Sequence, residues 1–117
     1  MDLNKIYQMF ILGTGNLDEA LKNGLGGVIF FSDDIDTEEH LREVETNILK
    51  KASISPFISI DEEGGRVERT EHIHPKRLSA KYAFAKGKDF LTAQTIDIAE
   101  ELVDLKFNLN FAPVADV

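Results

Sequence analysis

The sequence predicts an α/β fold built on parallel strands, and three observations carry that prediction. Apolar, β-favouring runs at Val28 to Phe31, Phe57 to Ile60 and Leu109 to Val117 lack the strict alternation of half-solvated strands, so both faces of each are expected to be covered. Long helical patterns separate these runs; a hairpin cannot span such connections, so the strands pair in parallel and right-handed crossovers lay the helices over the sheet. Each run also ends in acid: Asp33 and Asp34 after the first, Asp61 to Glu63 after the second, Asp116 after the third. About three strands are expected.

Taken in order, Ile6, Tyr7, Met9, Phe10 and Ile11 give a short helix with a broad apolar face, capped by Asp2 and stopped at Gly13. Asn16 caps a second short helix whose Leu17, Ala20 and Leu21 share a face, ending at Asn23-Gly24. After the first strand, Asp36 or Thr37 caps a longer helix. Glu39 stands at capping-box spacing from Asp36, and Leu41, Val44, Ile48 and Leu49 recur at helical intervals to about Lys51. Pro56 suits the first position of the second strand. Beyond Arg69 the pattern is irregular, with one helical turn at Ser79 to Ala85. A long helix then begins at Asp89, with Leu91, Ile98, Leu102 and Leu105 on one stripe and Ala99 and Val103 beside it, and ends by Asn108.

Composition narrows the partners. The 117 residues are the length of one domain, and 43% apolar with 29% charged residues is the balance of a globular chain. A net charge of −8 argues against nucleic acid and against anionic membranes. The absence of cysteine excludes disulfides and thiolate metal sites and fits a reducing compartment. The N-terminal apolar stretch, Ile6 to Leu12, is too short for a membrane span and lacks the basic leader of a secretory signal. No repeat or linker divides the chain, so residues 1–117 read as one unit.

Chemistry concentrates at Asp61 to Arg69, DEEGGRVER. Gly64 and Gly65 permit a sharp reversal after the strand, which crowds Asp61, Glu62, Glu63, Arg66 and Arg69 around one turn. Taken alone, this is a polar loop whose charges neutralise one another. Three acidic clusters on the carboxyl edge of one parallel sheet are a different matter, because their mutual repulsion disfavours the fold unless something compensates. Arg66 and Arg69 supply part of the compensation. A polyol such as a sugar, or a hard cation, supplies the rest. His72 and His74 lack a third convergent ligand and read as an exposed loop. Two architectures place acids this way: a receiver-like, doubly wound domain holding magnesium, and the start of a (β/α)8 barrel.

The residues of DEEGGRVER resemble the D-x-E-G-G-R-V-x-R signature of family 3 glycoside hydrolases, specifically the β-N-acetylglucosaminidases (β-N-acetylhexosaminidases) of bacterial wall recycling. Leu25 to Phe31, LGGVIFF, and Phe107 to Val117, FNLNFAPVADV, resemble that family's strand segments, and IYQMFILG its opening helix. The resemblance implies an incomplete (β/α)8 TIM barrel. It makes Asp61 and Arg69 substrate-binding residues, with Glu63, Gly64, Gly65 and Arg66 supporting the turn. Asp116 is either a cap for the next loop or part of the site, and Ser32-Asp33-Asp34 replaces a pattern in which the family usually has a basic residue and an asparagine.

The same resemblance puts the nucleophilic aspartate and the aspartate-histidine acid/base pair on loops beyond these strands. The chain is therefore expected to be the N-terminal part of a barrel that needs about 250 residues, inactive alone and without catalytic residues. The implied parent is a cytoplasmic bacterial enzyme that uses no cofactor or metal and takes an N-acetylglucosamine-containing glycan. The open edge of the sheet favours homo-oligomers. A non-catalytic sugar-binding or scaffold module is the alternative.

Overall fold

The apolar runs form strands because neighbours cover both of their faces. In the computed structural model, which describes residues 2–115, β2 (Gly27–Phe30) and β3 (Phe57–Ile60) pair in parallel, with Gly27 opposite Phe57 and Phe30 opposite Ile60. Val28, Phe30, Ile58 and Ile60 are buried. Ser59 is buried with them, its hydroxyl donating to the Val28 carbonyl at 2.9 Å, so a polar residue in the strand interior is satisfied.

Among the described residues the sheet has four strands, not three. Helix α1 (Leu3–Tyr7) starts at Asp2, whose carboxylate accepts from the Asn4 N–H at 3.1 Å. It does not continue to Gly13. The chain turns at residues 8–10, and Ile11–Gly13 becomes β1, parallel to β2 with Ile11 opposite Gly27. A continuous apolar run carries no period that separates helix from strand. The pairing decides it, with the Gly27 N–H donating to the Phe10 carbonyl at 3.1 Å.

Helix α2 (Asp18–Lys22) buries Ala20 and Leu21. Its cap position is Leu17, without a side-chain bond, so Asn16 does not cap it; Asp18 and Glu19 in the first turn suit the positive end of the helix instead. Helix α3 (Glu38–Lys51) is capped by Thr37, whose hydroxyl accepts from the His40 N–H at 3.2 Å. Asp36 forms no box with Glu39; its carboxylate accepts from the Thr37 N–H and meets His40 Nδ1. Helices α4 (Ala80–Ala85) and α5 (Lys88–Asp104) pack on one another. Ile98, Leu102 and Leu105 face the core as the stripe predicts, whereas Val103 is exposed.

The last strand is shorter than expected. β4 is only Leu109–Asn110, opposite Ser59 and Ile60. The Phe111 N–H still donates to the Ile60 carbonyl at 2.9 Å, but Pro113 has no N–H to offer and the ladder stops. The strand order is β1-β2-β3-β4, each strand beside the one before it in sequence. A doubly wound sheet reverses its order at a switch point. The receiver-like alternative is thereby excluded.

Under the sheet, Leu21, Leu25, Ile35, Leu41, Ile58 and Leu105 form one core with Phe30 and Phe107. The two phenylalanine rings meet edge to face at 5.6 Å between centroids, a favoured aromatic geometry. The carboxyl ends of the strands therefore share one rim, where Thr14, Phe31, Asp61 and Phe111 follow their strands. No helix among the described residues is long and apolar enough to cross a membrane.

Candidate functional site

The rim is assembled from the backbone outward. Past Ile60, where the sheet no longer covers both faces, Asp61 and Glu63 are part-exposed while Glu62 between them is buried. Gly64 and Gly65 then turn the chain at φ of 77° and 71°, in the left-handed region that side chains disfavour. They also sit tightly against the segment at 77–79. A Cβ on Gly64 would collide with the Leu78 carbonyl, and one on Gly65 would lie 2.7 Å from Ser79 Cβ. The Gly65 N–H donates to the Arg77 carbonyl at 3.0 Å, and the Glu63 N–H to the Val67 carbonyl at 2.9 Å.

This turn returns Arg69 to Asp61. Arg69 Nη2 lies 3.5 Å from Asp61 Oδ2, with the side chains 23% and 29% exposed, enough for a ligand to reach both. The guanidinium carbon stands 5.4 Å from the centre of the Phe31 ring, within cation–π range. Phe31 follows β2, so two strand ends contribute to one cluster. Asp34 steadies it from the other side, accepting from the Phe31 N–H at 2.7 Å and from the Thr14 hydroxyl. Asp33 is exposed, and Asp116 lies outside the described residues.

Gly64 and Gly65 support the turn as expected, but the side chains that brace it are not those of Glu63 and Arg66. The side chains of Glu63 and Arg66 make no hydrogen bond or ion pair among the described residues, and Arg66 is exposed. Glu62 and Glu68, both buried, hold the loop. Glu62 Oε2 accepts from the N–H groups of Arg69 (2.8 Å) and Thr70 (3.1 Å), and Glu68 Oε1 from that of Arg77 (2.6 Å). Burial raises the pKa of both carboxyls, against the lowering effect of those N–H bonds. Acid in this turn is thus met chiefly by backbone donors, and the arginines play a smaller part than the charge pattern suggests.

The segment beyond Arg69 is also more than an exposed loop. Ile73 packs against the core, and His74 Nδ1 lies 3.3 Å from Glu101 Oε2 on α5. Arg77, almost fully covered, bonds both Asp97 (2.9 Å) and Glu101. From β4, Asn110 Oδ1 accepts from the Glu62 N–H at 2.9 Å, while its Nδ2 donates to the Glu62 carbonyl at 3.1 Å. Sequence reasoning placed Glu62 at the turn without giving it a role, and passed over Glu68, Arg77, Glu101 and Asn110. For Glu62 a signal exists: it continues the inward parity of Ile58 and Ile60.

A family model described as the glycosyl hydrolase family 3 N terminal domain matches residues 3–117. The chain belongs to that family. Beta-hexosaminidase A of Pseudoalteromonas piscicida is 30% identical over 104 residues, covering 80% of this chain and 17% of that protein. Beta-hexosaminidase of Photobacterium profundum is 31% identical over 101 residues, covering 80% of this chain and 28% of that protein. A family 3 beta-N-acetylglucosaminidase from Paenibacillus sp. superposes with a TM-score of 0.88 at 24% identity, over 100% of this chain and 24% of that one. The family 3 glycosyl hydrolase from Mycobacterium smegmatis gives 0.73 at 25% identity, over 98% and 36%. The family 3 chain described here thus spans well under a third of the curated relatives it matches. Its sequentially ordered parallel sheet is part of a (β/α)8 barrel, an incomplete one over these residues.

Proposed function

We propose that this chain supplies the sugar-holding part of a retaining β-N-acetylhexosaminidase that removes terminal N-acetylglucosamine from bacterial wall fragments, and that it hydrolyses nothing by itself. The observation that carries the reading is the part-exposed Asp61–Arg69 pair on the carboxyl rim. A carboxylate there accepts from two neighbouring sugar hydroxyls, and the guanidinium donates to a ring substituent or back to the carboxylate. The Phe31 ring adds an apolar wall beside them. The names of the relatives support the same substrate class.

Retaining glycosidases place two groups about 5 Å apart across the scissile bond. Of the three adjacent acids, Glu62 is committed to backbone donors under the rim, and Asp61 is engaged with Arg69. This supports a binding role for the cluster, with the nucleophile and the acid/base pair supplied from elsewhere in the barrel. Within the proposal the reaction is a covalent double displacement that needs no cofactor, in a cytoplasmic enzyme.

The test has two arms. Titrating the 117-residue chain with N-acetylglucosamine should give saturable shifts in the amide resonances of residues 61–70, abolished by Asp61→Ala. An aryl N-acetylglucosaminide assay on the same material should stay at the buffer rate. Turnover that survives repurification contradicts the non-catalytic part, and sugar binding indifferent to Asp61→Ala contradicts the site.

A further inference from the structure

We propose that Glu62 and Asn110 are positioning residues that fix the distance between Asp61 and Arg69. This rests on the reading of Asp61 and Arg69 as the sugar-holding pair, and it deepens that reading by assigning what sets their geometry.

Asp61 is pinned on both sides to β4. Before it, the Ile60 carbonyl accepts from the Phe111 N–H at 2.9 Å. After it, the side-chain amide of Asn110 takes both polar groups of the Glu62 backbone, accepting from the N–H at 2.9 Å and donating to the carbonyl at 3.1 Å. A primary amide has the donor and acceptor of a peptide group, so Asn110 extends the ladder one step past the last paired residue. No other side-chain type offers both at that reach except glutamine, which is one methylene longer.

Glu62 then carries the constraint to Arg69. Its buried carboxylate takes the N–H groups of Arg69 and Thr70 together. A carboxylate bonded to two successive amides fixes both the position and the direction of that backbone, and charge-assisted bonds of this kind are roughly twice as strong as neutral ones. The Arg69 Cα is thereby tied through one residue to the strand end that bears Asp61. Thr70, itself fully buried, continues the path, its carbonyl accepting from the N–H groups of Ile73 and His74 at 2.9 Å each. The route runs β4, Asn110, Glu62, Arg69, so β4 sets the geometry of the pair.

The experiment uses two near-isosteric variants of the whole chain, Glu62→Gln and Asn110→Asp, each read two ways. Amide hydrogen exchange reports the positioning directly. With Glu62→Gln the Arg69 and Thr70 amides should exchange about tenfold faster, the loss of about one charge-assisted bond, while the amides of Val28 and Ile29 keep their rates. With Asn110→Asp, which keeps the acceptor and loses the donor, the Glu62 amide should stay protected and the Arg69 amide should exchange faster. N-acetylglucosamine affinity should fall about tenfold in both, with the protection of β2 unchanged. Faster exchange that spreads equally to Val28 and Ile29 would mean general destabilisation and would overturn the proposal, as would unchanged exchange at Arg69. Absence of sugar binding by the unaltered chain counts against the sugar reading alone, because the exchange data still decide whether Glu62 and Asn110 hold the pair.

Discussion

Glu45 shows how sharply one carboxylate can tie stability to pH. It lies on α3 and is 4% exposed, with Oε1 lacking a partner among the described residues. Burial pushes its pKa up to about 7, against the attraction of Arg42 and Lys106. A folded pKa above the unfolded one means that its contribution is full below the unfolded value of 4.5 and is lost as pH rises through about 7. Glu45→Gln removes the group that must be charged in the buried site. Urea unfolding at pH 8 should find the variant more stable by up to about 3 kcal/mol, with the difference gone at pH 4. The sequence hides this residue, because a glutamate on a helix with charged neighbours reads as solvent-facing. The meeting of Asp61 and Arg69 was legible because the glycines between them announce a reversal, whereas the bonds of Asn110 were not, since nothing in one strand announces a side chain that bonds the next.

Among the elements, the glycine turn leaves little room for change. Gly64→Ala adds a methyl group where φ is 77° and where the Leu78 carbonyl already stands. The left-handed backbone alone costs about 1–2 kcal/mol for an L-residue, and the collision adds to it. We expect a loss of at least about 2 kcal/mol in urea unfolding, and in wild-type and variant crystal structures a shift of residues 77–79 away from the turn. Of the regular elements, α3 was readable in its span because its apolar period runs unbroken to Lys51, although neither the choice of Thr37 over Asp36 as cap nor the burial of Glu45 was. The opening segment was not, because Ile6 to Ile11 offers apolar residues at both helical and strand positions, and only pairing with Gly27 divides α1 from β1. Helix α5 is 17 residues, about 25 Å, against roughly 13 Å for a four-residue strand; its length was visible in the sequence, but its reach beyond the sheet depends on the shortness of its neighbours.

For the whole molecule, we expect the two outer strands to govern association in solution. Among the described residues β1 and β4 each pair on one side only, and Met9 (81% exposed), Phe10, Phe84 and Phe111 leave apolar surface uncovered. Unpaired edges beside apolar surface invite association. Sedimentation velocity should show the 117-residue chain associating as concentration rises, and a concentration-independent monomer would contradict this. The parallel α/β class was legible from run length and spacing, which are properties of the whole chain. The count of strands was not, because β1 has three residues and is defined by its partner; β4 was expected, but its length of two residues was not. The strand order has one more consequence. Because every strand lies beside its predecessor in sequence, β2, β3 and β4 each find a partner that the ribosome has already released. The order in which the strands are synthesised is thus their order across the sheet, and Asp61 is made before the Asn110 that bonds beside it.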